Sequence, residues 1–204
     1  MRKYLLGISA AAIVALTAGC GGGDTDASTQ NTAGGTSTSA ESAGQAEHND
    51  QDVAFAQGMI PHHQQAVDMA KLAAEKATNP QVKDLAGRIQ GAQDPEIQQL
   101  TGMLDQWSAS MPGMSTESGM PGMDHGGMSG DGMMTDEEMQ QLESATGADF
   151  DRMWVQMMIK HHQGAVTMAK TELEQGKNSD AKALAQNIVD AQEAEITEMQ
   201  GLSL

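Results

Sequence analysis

The stretch MIPHHQQAVDMAK at residues 59–71 returns further along the chain as MIKHHQGAVTMAK at residues 158–170. Both copies keep two adjacent histidines, with one methionine before the pair and another after it. Aligned without a gap, residues 52–102 and 151–201 are identical at 23 of 51 positions. Identity at this level and at one fixed offset indicates an internal repeat, so we expect a fold built from two copies of one unit.

Each repeat predicts two helices joined by a short turn. Apolar and small side chains recur with the α-helical period over about residues 52–77, and again over about residues 149–175. Asn79 followed by Pro80 predicts the start of the next helix, since asparagine caps helices and proline favours the first helical position. Ser179 is the corresponding start in the second copy.

The predicted fold class is all-α: a ferritin-like four-helix bundle built from two repeated helical hairpins, because one hairpin cannot bury its apolar stripe alone. A long crossover rich in methionine joins the hairpins, and the capping box Thr135–Glu138 begins a short helix after it. Pro61 and Pro95 lie inside predicted helices and are expected to kink or divide them. The predicted bundle domain, 51–204, comprises repeat one at 52–107, the crossover at 108–134, the short helix at 135–146 and repeat two at 149–204.

The N-terminus predicts export. Arg2 and Lys3 precede an apolar run too short for a good membrane span, and small residues then lead to Cys20, the only cysteine. The stretch LTAGCGGG resembles a bacterial lipoprotein processing site, so residues 1–20 are predicted to be a signal peptide that ends at a lipidated Cys20. Residues 21–50 have no apolar periodicity and predict a flexible tether. We expect the protein outside the cytoplasm, on a cell membrane or facing the periplasm, held to the membrane through its lipid anchor only.

The charge balance narrows the classes of partner. The formal net charge is −17, which disfavours nucleic acid, because phosphates bind lysine and arginine, and favours attraction of cations. Methionine occurs 17 times while aromatic residues make up 2% of the chain, so any core is expected to be aliphatic and filled with methionine. Metal ions are therefore the expected partners.

The helical period places both histidine pairs on faces that should point inward. The second helix of each repeat carries polar residues within its own apolar stripe: Gln93 and Glu96, then Gln192 and Glu195. Burying four imidazoles and two carboxylates costs several kcal/mol unless each group finds a partner. A metal ion is one such partner. The other is a His–Glu network in which Glu96 and Glu195 accept hydrogen bonds from the imidazoles.

Methionine indicates which metal would bind. Imidazole suits zinc, copper, iron and nickel, whereas thioether selects Cu(I) or the similar Ag(I). A methionine on a helix is more often a core side chain than a ligand. The crossover is Gly-rich and has no core to fill, so its side chains are candidate ligands for a soft ion: Met111, Met114, Met120, Met123, His125, Met128, Met133 and Met134. A low-complexity linker that drifted toward methionine is the other explanation.

Three stretches, MIPHHQQAVDMA, FDRMWVQMMIKHHQGAVTMAK and LAQNIVDAQEAEITEM, resemble the family called domain of unknown function 305, over roughly residues 50–204. That family includes exported copper-binding proteins of the CopM type. The resemblance implies a ferritin-like helical bundle with a role in metal resistance or sequestration, and copper as the bound ion. It also implies these ligands: Met59, His62, His63, Met69, Met158, His161, His162 and Met168.

Three functions remain open at this point. The first is an exported lipoprotein that binds copper without catalysis, Cu(I) first, with Ag(I) or Cu(II) as alternatives. The second is a ferritin-like di-metal oxidoreductase, but such sites use a Glu-x-x-His motif on two helices, which this sequence lacks. The third is a structural bundle whose buried His–Glu network binds no metal. No complete catalytic constellation is evident, so an enzyme is not expected.

Overall fold

The computed structural model describes residues 47–111 and 132–204, and within them every regular element is an α-helix, which confirms the all-α prediction. Among these residues, no helix is both long and apolar enough to cross a membrane. Several predicted features lie outside the described residues: the signal peptide with Cys20, almost all of the tether, and Met114, Met120, Met123, His125 and Met128. The helices are α1 (Asp50–Lys76), α2 (Pro80–Gln106), α3 (Asp136–Ser144), α4 (Gly147–Gln175) and α5 (Ser179–Gln200).

Polar caps set where the helices begin. Helix α1 starts two residues before the predicted position, because the Asn49 side chain accepts hydrogen bonds from the backbone N–H groups of Gln51 and Asp52. Helix α3 begins with the predicted capping box, in which Thr135 accepts from the Glu138 backbone and the Glu138 carboxylate accepts from the Thr135 backbone.

Helices α1 and α2 run through their prolines without interruption, so the predicted division at Pro61 and Pro95 does not occur. A proline inside a helix costs about 3 kcal/mol, because it removes one hydrogen bond and crowds the preceding turn. Both helices are 27 residues long and pack along most of their length. Burial on both sides of Pro61, at Ile60 and His62, offsets a local cost of that size.

Helix α1 packs against α2 and α4, helix α4 also packs against α5, and α3 lies on α4. The buried apolar residues form two clusters. The first apolar cluster joins the C-terminal half of α1 and the N-terminal halves of α2 and α4: Ala66, Met69, Ala70, Ala73, Ala77, Val82, Leu85, Ala86, Ile89, Met134, Leu142, Phe150, Trp154, Val155, Met158 and Met199. The second joins the opposite halves and α5: Phe55, Ala56, Met59, Ile60, Leu100, Leu104, Trp107, Ala165, Ala169, Ala181, Leu184, Ala185, Ile188 and Val189.

Two buried aspartates hold each hairpin to the other. Asp52 on α1 accepts a hydrogen bond from the backbone N–H of Asn178, in the α4–α5 turn, at 2.8 Å. Its repeat counterpart Asp151 on α4 accepts from the backbone N–H of Asn79, in the α1–α2 turn, at 2.9 Å. Each turn is therefore completed by a side chain from the other repeat.

The C-terminal end of the crossover lies across α1 and α4. The Gln65 amide donates to the Met134 carbonyl at 2.9 Å and accepts from the Met134 N–H at 2.7 Å. Gly132 has φ +81°, and a Cβ there would lie 2.6 Å from the Lys160 carbonyl oxygen and 2.9 Å from the Gly164 Cα. Only glycine permits this approach, so the crossover ends in backbone packed directly on α4.

Candidate metal site

Eight polar side chains lie between the two apolar clusters, and we call them the His layer. They occupy the stretch of each long helix that separates its residues in one cluster from those in the other. All four imidazoles are buried, with at most 1% exposed. The layer comprises His62, His63, His161 and His162 from α1 and α4, and Gln93, Glu96, Gln192 and Glu195 from α2 and α5.

Each repeat contains one His–Glu pair. The Nε2 of His63 lies 2.7 Å from Oε2 of Glu96, and the Nε2 of His162 lies 2.8 Å from Oε2 of Glu195. A carboxylate only accepts, so the Nε2–H of each imidazole is the donor in this contact, and Nδ1 is the ring nitrogen that the contact does not use. Both Nδ1 atoms are buried, and within the described residues neither has a hydrogen-bond partner. In metal sites a carboxylate commonly orients an imidazole through one ring nitrogen while the other nitrogen binds the ion.

The other two histidines meet at the centre of the layer. The rings of His62 and His161 have their centroids 3.7 Å apart and are tilted by 41°. Burial, with smaller effects from the neighbouring imidazoles, lowers the pKa of His161 well below its usual value. No hydrogen bond of normal geometry reaches either ring nitrogen of His161 from the described residues. His161 is therefore neutral at neutral pH and presents a nitrogen lone pair to the interior.

The two glutamines of the layer are also buried, with Gln93 2% and Gln192 3% exposed. Neither amide atom of Gln93 has a hydrogen-bond partner among the described residues, and the same holds for the Gln192 carbonyl. An unpaired buried amide costs about 1–3 kcal/mol. Polar groups left unpaired in both repeats point to a bound group or water that completes the layer.

Thioethers border the layer at both ends. Met59 and Met158 are fully buried one helical turn before the histidine pairs, a spacing that places side chains on the same helix face. Met69 is also fully buried, but its counterpart Met168 is only partly buried, and its methyl group packs close to Gly58. The methionine after the pair therefore has different surroundings in the two repeats.

Three of the crossover candidates fall within the described residues. Met134 is 5% exposed and belongs to the first apolar cluster, while Met133 is partly buried beside it. Met111 is partly buried against the second apolar cluster. The structure thus brings Met134 into the core and places Met111 with the opposite cluster, so these thioethers do not share one site.

The donor set decides which ions fit. In the described part of the chain, no three side chains of His, Cys, Asp or Glu come close enough together to ligate one metal ion. The layer instead has buried imidazole nitrogens without a hydrogen-bond partner among the described residues, at His63, His161 and His162, with methionine one helical turn away. Soft ions such as Cu(I) take few ligands of this kind, so the residues present fit a soft cation better than a hard one.

Three buried carboxyl groups were not predicted from the sequence. Asp52 and Asp151 are identical in the repeats and sit at buried positions of a helical stripe, so the repeat itself carried a signal. Glu172 is fully buried beside Asp52. The repeat gave no indication of this, because the counterpart of Glu172 is Ala73.

Solved structures with the same fold are about a third identical to this chain over the aligned residues. A DUF305 protein from Streptomyces coelicolor is 35% identical, with a TM-score of 0.63, and the alignment covers 73% of this chain and 89% of that one. CopM in its Cu(I)-bound form is 32% identical, with a TM-score of 0.57, and the alignment covers 73% and 92% of the two chains. CopM has also been solved in Cu(II)-bound and Ag-bound forms.

A further relative matches over a shorter stretch. The uncharacterized protein L153 of Acanthamoeba polyphaga mimivirus is 36% identical over 55 residues, which are 27% of this chain and 36% of that protein. The chain thus spans about a third of that relative. The sequence model of the family described as Domain of unknown function (DUF305) matches residues 52–203, and the protein belongs to this family.

Proposed function

We propose that this protein binds copper, Cu(I) first, in the His layer, and holds it without catalytic turnover. The observation that carries the proposal is the pair of His–Glu contacts at 2.7 and 2.8 Å, which leave the Nδ1 atoms of His63 and His162 buried and able to bind an ion. Similarity to CopM, whose structures contain Cu(I), Cu(II) or silver, supports copper as the ion.

The chemistry of the neighbouring side chains favours the reduced ion. Thioether sulfur prefers Cu(I) and Ag(I), and the fully buried Met59 and Met158 provide it beside the imidazoles. Binding requires a neutral imidazole, and the lowered pKa of His161 keeps that ring neutral. We propose that the same site also binds Ag(I) and Cu(II), with Cu(I) as the preferred ion.

The sequence also supports a location for the protein in the cell. We propose a ferritin-like four-helix bundle of two repeated hairpins, anchored outside the cytoplasm through a lipidated Cys20, that sequesters or buffers copper. The methionines of the crossover would form a second, thioether-only group of sites. Mass spectrometry of membrane-extracted protein tests the anchor, since cleavage elsewhere without an acyl chain contradicts it.

Counting bound ions tests the metal sites. Thioethers carry no titrating proton, whereas imidazole nitrogen must lose its proton to bind, so the ions of the His layer should be lost in acid and those of the crossover retained. Alanine at all four histidines of the layer should remove only the acid-sensitive ions. Leucine in place of five methionines should remove only the acid-resistant ions: Met111, Met114, Met120, Met123 and Met128. Circular dichroism of each variant checks that it folds.

A structural role for the layer is the second candidate. It is favoured by the two complete His–Glu contacts and by the lack of three converging His, Cys, Asp or Glu side chains in the described residues. On this hypothesis the histidine variant keeps its full metal count at neutral pH and loses stability instead. Such a result would contradict the proposed copper site but not the predicted fold.

A further inference from the structure

The His layer is covered on the side where α1 meets α4. Gly132 packs against the Lys160 carbonyl and Gly164, within one helical turn of His161. The Gln65 amide, one turn after His62, fixes the next part of the segment by bonding both backbone groups of Met134. The crossover end therefore lies over α1 and α4 at the level of the layer.

The opposite side is bounded by α2 and α5. The Arg88 guanidinium of α2 donates to the Glu198 carboxylate of α5, and both side chains are exposed. Further along, a cavity of about 240 Å³ is lined by Gln99 and Met103 of α2 together with Asp180 of α5. These contacts identify the strips of α2 and α5 that face each other, and we call the space between them the α2–α5 groove.

The two glutamates of the His layer lie on these strips. Glu96 precedes Gln99 by one turn, and Glu195 precedes Glu198 by one turn, so each glutamate shares a helix face with a residue of the groove. The side chains of Glu96 and Glu195 are 17% and 15% exposed, whereas those of His63 and His162 are 0% exposed. Solvent therefore reaches the layer at its carboxylates.

We propose that cations enter and leave the His layer through the α2–α5 groove, with Glu96 and Glu195 as the first groups that an incoming ion meets. The inference rests on the proposed function. A carboxylate at the surface attracts a hydrated cation, and the net charge of −17 adds to that attraction. The ion then exchanges oxygen ligands for imidazole nitrogen and thioether sulfur, with no change of oxidation state.

Two exposed ion pairs on opposite sides of the layer give a matched test. Arg88–Glu198 bridges the α2–α5 groove, and Lys160–Glu138 joins α4 to α3 beside the crossover end. Arg88→Gln and Lys160→Gln each remove one positive charge. The measured quantity is the rate at which Cu(I) leaves the full-length protein for excess bicinchoninate, in a background with Leu at Met111, Met114, Met120, Met123 and Met128.

Arg88→Gln should speed release by about twofold to fivefold, the change in rate that corresponds to loss of a surface ion pair. Lys160→Gln should leave the rate unchanged. If Lys160→Gln accelerates release and Arg88→Gln does not, the ion leaves on the crossover side and the proposed route is wrong. A protein that binds no acid-sensitive ion would overturn the proposed function, and the route with it.

A second readout needs no metal. Diethyl pyrocarbonate modifies accessible neutral imidazoles, and peptide mass spectrometry locates the modified residues. In the metal-free protein, Arg88→Gln should speed modification of His63 and His162 relative to the wild type, whereas Lys160→Gln should not. Equal rates in all three proteins would contradict access through the groove even where copper binding itself is intact.

Discussion

Glu172 is a fully buried carboxyl group next to another buried carboxylate, Asp52. Burial, together with the hydrogen bond to Asp52 and its charge, raises the pKa of Glu172 to about 8. Burial alone would raise the pKa of Asp52, but hydrogen bonds from Glu172 and from backbone N–H groups lower it. A hydrogen bond between two carboxyl groups needs a proton on one of them, and the opposing effects of Lys182 and Gln51 on the pKa of Glu172 are smaller. At neutral pH the pair therefore shares one proton.

The shared proton predicts a fall in stability with rising pH. Since the pKa of Glu172 is raised in the folded state, its proton is lost more easily on unfolding between its ordinary pKa of 4.5 and about 8. In that window stability falls by up to about 1.4 kcal/mol per pH unit, and above it this contribution is flat. The lowered pKa of His161 opposes the trend only below 6.5. Urea unfolding of the metal-free protein between about pH 6.5 and 8 isolates Glu172.

A neutral replacement should abolish this slope. Glu172→Gln keeps the shape of the side chain and removes the titration, so its unfolding free energy should not fall between about pH 6.5 and 8. Glu174→Gln, at an exposed position of the same helix, is the control and should keep the wild-type slope. An unaltered slope in Glu172→Gln would mean that another group titrates in this window.

At the scale of single elements, the helices could be predicted from the sequence, whereas the contacts of the crossover end could not. The helical period predicted that the face of α1 with His62 and His63 points inward, and both side chains are buried. Gln65 and Gly164 occupy the same repeat position and differ, so the asymmetry was visible in the sequence. The contact that Gln65 makes was not visible in the sequence. It joins Gln65 to Met134, 69 residues away, and no local pattern specifies so distant a partner.

Glycine substitutions measure how tightly the crossover end is packed. Gly132→Ala should cost about 2 kcal/mol or more, since φ is +81° and the new Cβ would meet the backbone of Lys160 and Gly164. Gly147 also has a positive φ, +58°, but a Cβ there meets nothing within 4 Å. Gly147→Ala should therefore cost only about 1 kcal/mol. Thermal unfolding compares them, and equal losses would show that the crossover end moves aside freely.

At the scale of the whole molecule, the two hairpins depend on each other. Asp52 completes the α4–α5 turn and Asp151 completes the α1–α2 turn, so each hairpin alone would leave backbone N–H groups of its turn without these acceptors. Helices α1 and α4 also contribute to both apolar clusters. The repeat predicted that the hairpins would pair, but the reciprocal aspartate contacts became evident only when both halves were seen together.

This dependence predicts that both halves unfold in one transition. Trp107 lies in the first hairpin and in the second apolar cluster, whereas Trp154 lies in the second hairpin and in the first apolar cluster, so variants that each keep one tryptophan give two distinct probes of unfolding. Asp151→Ala removes the acceptor of the Thr78 and Asn79 N–H groups, which should cost about 2–4 kcal/mol. Although this turn belongs to the first hairpin, the urea midpoints reported by Trp107 and Trp154 should fall together. A shift seen by Trp107 alone would establish that the hairpins are separate folding units.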